Sequence, residues 1–231
     1  MKAVSRIVMV RLILLGALSA PGAIGYINVD FQPGDNLFHI GLKNVDNHLS
    51  AMSFPGAPNG TSISLWNPAS GIYDVTSTYS EGAWSLDLEL SVGTGARLTT
   101  TAPFVQTFMG QPLKHDGSLF TGGDNPAPPI FDGPSGVYLL GDKYPIISSN
   151  TDVFLNIVGR GPNIGEQFTR LDRASQTYVT STFLGEGGWD VVPTIGYCEA
   201  GFFNLIVPEP SVFALAVLGA FLLRYPLTRK S

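Results

Sequence analysis

Residues 66–84 read Trp-Asn-Pro-Ala-Ser-Gly-Ile-Tyr-Asp-Val-Thr-Ser-Thr-Tyr-Ser-Glu-Gly-Ala-Trp, and residues 171–189 read Leu-Asp-Arg-Ala-Ser-Gln-Thr-Tyr-Val-Thr-Ser-Thr-Phe-Leu-Gly-Glu-Gly-Gly-Trp. Ala-Ser, Tyr, Val-Thr-Ser-Thr, Glu-Gly and Trp recur in order at an offset of about 105 residues, with single-residue gaps. Self-similarity at a fixed offset implies that one supersecondary unit is used twice, which removes most alternative folds. The likeness extends outward. Leu37-Phe-His-Ile-Gly-Leu aligns with Val137-Tyr-Leu-Leu-Gly-Asp, and Leu90-Ser-Val-Gly-Thr-Gly-Ala-Arg-Leu with Thr194-Ile-Gly-Tyr-Cys-Glu-Ala-Gly-Phe-Phe.

Within each copy the pattern predicts short strands. Ser62 to Trp66 alternates polar and apolar residues, Asn67-Pro-Ala-Ser-Gly supplies turn chemistry, and Ile72 to Tyr79 is rich in β-branched and aromatic residues. The second copy repeats this as Gln167 to Leu171, Asp-Arg-Ala-Ser, and Gln176 to Phe183. Each unit therefore reads as a hairpin closed by Gly-x-Trp, with Trp84 and Trp189 as residues that cover a sheet. Helical periodicity is absent from the middle of the chain except for a short piece around Val45 to Met52. Residues 121–135 are dense in Gly and Pro and hold no central strand or helix, which makes them a linker. The expected fold is all-β, with two related antiparallel modules, sandwich- or barrel-like, at residues 26–120 and 136–206. They lie between an N-terminal signal helix (1–25) and a short C-terminal hydrophobic helix (207–231).

Charge separates the ends from the middle. Of 13 basic residues, Lys2, Arg6, Arg11, Arg224, Arg229 and Lys230 sit at the termini, leaving Tyr26 to Pro208 with seven basic against seventeen acidic residues, a net of −10. A body of that sign repels nucleic acid, and no basic stripe interrupts it. Cys198 is the single cysteine, so an internal disulfide and a thiolate zinc cluster are both excluded; its setting, Ile-Gly-Tyr-Cys-Glu-Ala-Gly-Phe-Phe, suits a buried small hydrophobe.

The termini read as addresses. Lys2, Arg6 and Arg11 precede an apolar run from Leu12 to Leu18, and small residues follow. That is the order of a secretory signal peptide, with Ala23-Ile24-Gly25 before Tyr26 as the small-x-small cleavage site; a first strand or a membrane anchor is the alternative. At the other end Val212 to Leu223 is an unbroken apolar run, shorter than the about 20 residues of an independent span. Pro208 and Pro210 separate it from the body, and Arg224, Arg229 and Lys230 follow it, on the side that the positive-inside bias keeps cytoplasmic.

Val-Pro-Glu-Pro-Ser, an alanine- and leucine-rich short helix, and terminal basic residues closely resemble the PEP-CTERM sorting signal of Gram-negative bacterial exported proteins. The resemblance covers about 25 residues. It implies an exosortase, an integral-membrane processing enzyme, as partner. Transit would run through the inner membrane, with a membrane-anchored stage before processing, and the destination would be the cell surface or extracellular matrix. Pro208, Glu209 and Pro210 match the recognition triplet, Ser211 to Leu223 the helix, and Arg224 the start of the basic cluster. The chain departs from the family in its last residues, Arg-Tyr-Pro-Leu-Thr-Arg-Lys, where arginines usually run together. A terminal anchor or buried helix is the competing reading. The body also resembles secreted proteins of that class with paired tryptophan-containing β modules, which carry no transferable enzymatic activity.

A search for chemistry favours bland readings. His39, His48 and His115 lack ligand spacing, and no nucleophile elbow accompanies them. Gly93-Thr-Gly95 and Gly185-Glu-Gly-Gly188 lack the strand-loop-helix setting of a phosphate cradle and read as turns. Asp124, Asn125, Asp132 and Asp142 have no calcium-loop spacing and read as solvated loop residues. Tyr73, Tyr79, Trp84 and Tyr178 are core residues in the simpler view and a sugar-stacking platform in the other. The expectation is a non-enzymatic exported surface or matrix protein needing no cofactor and no metal. The alternatives are a surface carbohydrate-binding module, with Trp84 and Trp189 stacking on extracellular polysaccharide, and a secreted hydrolase built on a histidine.

Overall fold

The computed structural model describes residues 24–206, apart from 115, 121–127, 129, 145 and 146. The strands are β1 (Gly25–Phe31), β2 (Gly34–His39), β3 (Leu42–Lys43), β4 (Ser62–Asn67), β5 (Ile72–Ser80), β6 (Ala83–Trp84) and β7 (Gly95–Thr100). They continue with β8 (Phe104–Pro112), β9 (Gly136–Leu140), β10 (Ser148–Ser149), β11 (Gln167–Asp172), β12 (Thr177–Thr182), β13 (Thr194–Ile195) and β14 (Gly201–Leu205). One α-helix, α1 (Asp152–Ile157), accompanies them among the described residues. The protein is mostly β, and its ladders are antiparallel.

Two sheets share one order. The first runs β2-β7-β4-β5-β6; the second, taken from its β9 edge, runs β9-β14-β11-β12. The fifth place of the second sheet is held by a single bridge, Phe183 to Trp189, where the first has Tyr79 opposite Trp84. Outside the sheets, His48 bridges Glu89 in one half, and β10 pairs β13 in the other. A third sheet, β1-β8-β3, belongs to the first half alone.

Local chemistry explains why the hairpins match. The amides of Ala69 and Ser70 donate to Asn67 Oδ1, and those of Ala174 and Ser175 to Asp172 Oδ1, so an Asx turn opens each connection. Each turn then passes through the left-handed region, at Gly71 (φ 68°) and at Gln176 (φ 56°). Glycine takes that conformation freely; Gln176 is held there by its side chain, which accepts from Asp35 N–H and donates to the Asp35 and Arg173 carbonyls. The hairpins differ at one residue. A bulge between Leu65 and Trp66 leaves Asp74 extra in β5, whereas β11 and β12 pair without interruption.

Alternation along each strand divides the apolar residues among three clusters. Phe38, Ile63, Ala96 and Leu98 face Val29, Phe31, Phe104 and Phe108 of the third sheet. Phe168, Phe203 and Leu205 face Val153, Phe154 and Val158, so the second sheet is roofed by α1 and its flanks. Leu37, Trp66 and Tyr73 from the first sheet meet Leu139, Leu171 and Phe202 from the second.

Three expectations are corrected. The piece around Val45 to Met52 contains only a single 3-10 turn, Leu49–Ala51, while the chain's helix lies at Asp152–Ile157, where no periodicity had marked one. Six residues are too few to display a helical repeat; burial of Val153 and Phe154 holds the helix instead. Pairing also shifts the alignment of β2 and β9: opposite corresponding residues of β7 and β14, Leu37 takes the place of Leu139 and His39 that of Gly141. The offset there differs by two residues from the one the sequence suggests, because apolar residues alone do not set strand register. The expected terminal helices fall outside the described residues.

Candidate functional site

The junction between the two sheets brings polar and aromatic side chains of both halves together. Its backbone contacts come in reciprocal pairs. His39 N–H donates to Cys198 O (3.1 Å) and Gly141 N–H to Gly93 O (3.0 Å), while Phe38 bridges Glu199 and Leu140 bridges Thr94. Residues in corresponding places thus make the same bond in both directions, which is the signature of a local two-fold axis.

Near such an axis corresponding side chains meet, and two large ones do not fit. The His39 ring fills the space over Gly141, where any Cβ would fall inside the ring. Similarly, a Cβ on Gly95 would lie 2.8 Å from the Ala200 Cβ. Gly93 and Cys198, also corresponding, both adopt positive φ, at 79° and 52°.

Side chains then lock the junction. Trp66 Nε1 donates to Val137 O at 2.8 Å, and the Trp66 ring meets Phe202 and Tyr73 edge-on at 4.9 and 5.2 Å. The Arg97 guanidinium carbon lies 4.0 Å from the Tyr73 ring centroid, and Arg97 reaches Asp35 at 3.8 Å. Burial pushes the Tyr73 phenol above its usual range. Arg173 donates to the carbonyls of Asp30 and Leu37 and pairs with Glu199 at 3.7 Å. The sequence marked Tyr73 and Trp84 but not Trp66, Arg97 or Arg173, whose partners lie far away in the chain.

The structure disperses the residues marked in the sequence. Trp84 is half-buried between Phe54 and Tyr79 (5.0 and 5.1 Å), and Trp189 between Phe154 and Phe183 (5.4 and 5.3 Å). Both indole nitrogens are buried without a hydrogen-bond partner among the described residues. A cleft of about 310 Å³ opens beside Trp84, bordered by Tyr79, Gly82, Ser50 and Asp87. Tyr178 lies on β12, 6.2 Å from the Phe202 ring.

His39 is fully buried, and desolvation pushes its pKa down to about 4 against a smaller opposing backbone hydrogen bond at Ile40. His48 is exposed and its Nδ1 lies 2.7 Å from Asp46 Oδ1, which raises its pKa. Nearby Ser50 gives both its Oγ–H and its amide N–H to Asp87. Desolvation raises the Cys198 thiol to about 11, which keeps it a thiol at neutral pH. Asp142 is buried, accepts from Tyr144 N–H, and is raised to about 7 by desolvation.

A second cavity, of about 420 Å³, opens where the halves meet, bordered by Gly93, Thr94, Asp132, Gly141, Lys143 and Asn156. No group of three or more metal-ligating side chains occurs among the described residues. No described helix is long and apolar enough to cross a membrane. His115, Asp124, Asn125, Pro208, Glu209, Pro210 and Arg224 lie outside the described residues. No protein-family model, curated protein or solved structure matches the chain.

Proposed function

We propose that this chain is an exported, non-enzymatic surface or matrix protein: two related β modules fused about a local two-fold axis and sorted by the C-terminal Pro-Glu-Pro segment. The observation that carries the reading is the fit of the folded body between the two terminal signals. β1 opens at Gly25, the last residue of the small-x-small cleavage site, and β14 closes at Leu205, three residues before Pro208. A cut after Gly25 would take one residue from the end of β1 and leave Tyr26 to Phe31 to pair with β8, and the Pro-Glu-Pro segment follows the last residue of β14 in the chain.

Intact mass and cell fractionation test it, with wild type compared to a variant carrying Pro208→Ala, Glu209→Ala and Pro210→Ala. The reading expects the wild type to lose its C-terminal residues and appear outside the cell while the variant stays full-length in the membrane. Both remaining full-length in the membrane would reduce the segment to an anchor. The cleft beside Trp84 supports a second reading, binding of a polysaccharide; Trp84→Ala would then abolish retention on matrix glycan while leaving the far-ultraviolet circular dichroism intact.

A further inference from the structure

The two sheets end differently, and we infer that the outer edge of β12 pairs with the same edge of a second copy of this chain. Backbone direction along β12 follows from its neighbours. Thr182 N–H donates to Asp190 Oδ1, and Asp190 N–H donates to Thr182 O, so the Thr182 groups point outward. Phe183 faces inward, giving its N–H to Glu166 O and accepting from Gly165 N–H. Alternation then sends the N–H and C=O of Thr180 and Tyr178 outward. No backbone partner for them occurs among the described residues.

The corresponding strand of the first sheet is protected. β6 covers its end through Tyr79–Trp84 and Ser80–Ala83, Ser85 caps Thr78, and the bulge sets charged Asp74 into the remainder. Bulges, short covering strands and charges are the usual devices that stop edge pairing. β12, Thr-Tyr-Val-Thr-Ser-Thr, has no bulge, charge or proline.

A second copy fits this edge in a symmetric register that uses both of its outward-facing residues. With Val179 on a two-fold axis, Tyr178 faces Thr180 of the other copy and Thr180 faces Tyr178. Each of these pairs exchanges both backbone hydrogen bonds. Cross-strand neighbours are then Val179 with Val179 and Thr177 with Ser181, with no like charges opposed. Centring on Thr180 instead would require Thr182, which Asp190 already occupies.

The experiment uses the full chain, purified in mild detergent, with Val179→Cys or, as control, Val75→Cys at the corresponding place of β5. The native Cys198 is buried and does not compete. Residues directly opposite across an antiparallel two-fold fall within disulfide reach. With an added oxidant, Val179→Cys should run mostly as a disulfide-linked dimer on a non-reducing gel, and Val75→Cys as a monomer. Equal linkage of both, or none with Val179→Cys, overturns the proposal. Independently, Val179→Glu places its carboxylate cross-strand from Arg170, compatible with the fold, yet opposes two carboxylates on the axis. Sedimentation should show wild type as a dimer and that variant as a monomer; a monomeric wild type at high concentration, or a variant still dimeric, rejects it.

Discussion

The first and second halves place the same four-strand order under different roofs. In the first, a sheet of three strands closes the core through Phe31, Phe104 and Phe108; in the second, the two-turn helix α1 does so through Val153 and Phe154. The comparison teaches that the hairpin and its neighbours form the transferable unit, while the outer cover is replaceable so long as it buries the same face. A ladder supplies its own backbone partners, whereas α1 is too short to stand without Phe154 in the core.

The comparison breaks most readily at that helix. Phe154→Ala empties the centre of the second core and should cost about 3–5 kcal/mol. Chemical denaturation should show the second half unfolding first, with the third-sheet half retaining structure; a single unchanged transition would mean the helical roof is dispensable.

Next in size is the pH response of His39, which has no titrating counterpart at Gly141. Its folded pKa of about 4 lies below the unfolded value of 6.5. The unfolded chain therefore gains a proton first as pH falls, so the contribution is complete above about pH 6.5 and shrinks towards pH 4, by about 3 kcal/mol. Asp142, raised to about 7, works oppositely and loses stability as pH rises through the same window. The useful readout is thus the stability of His39→Leu minus that of wild type in melts from pH 4 to 7, which should rise as pH falls because only wild type carries the penalty. A difference independent of pH would show that His39 is not held neutral.

Crowding at the local axis gives a smaller effect. Gly141→Ala drives a methyl into the His39 ring and should cost about 1–3 kcal/mol. Most of that loss should vanish when His39→Ala is the background, so a double-mutant cycle with no coupling would argue against the shared position. The smallest is Trp66→Phe, which keeps an aromatic ring but removes the indole donor to Val137 O. Equilibrium unfolding should show a loss of about 1 kcal/mol, and no loss would mean water replaces that donor.

How much of this was legible varied with distance along the chain. The strand-turn-strand of residues 62–80 and 167–182 was readable because turn residues and alternation are local, with Asn67 to Gly71 and Asp172 to Ser175 supplying the turn chemistry. The third sheet was not, since β1 and β8 are partners about 80 residues apart and neither names the other. Trp84 and Trp189 stood out by type, but their ring neighbours Phe54 and Phe154 come from segments without a signal of their own. The junction side chains Trp66, Arg97 and Arg173 looked like ordinary strand and turn residues, because their meaning lies in atoms of the opposite half.

By itself, then, the sequence determined a β-rich chain with a repeated hairpin, an acidic body and two chemically distinct ends, because backbone preference, alternation and charge are properties of neighbours. The tertiary structure alone decided which roof covers each sheet, that His39 lies over Gly141, and which strand keeps an open edge. Those outcomes depend on register and on excluded volume between segments about 100 residues apart, where a shift of one residue turns every side chain to the other face.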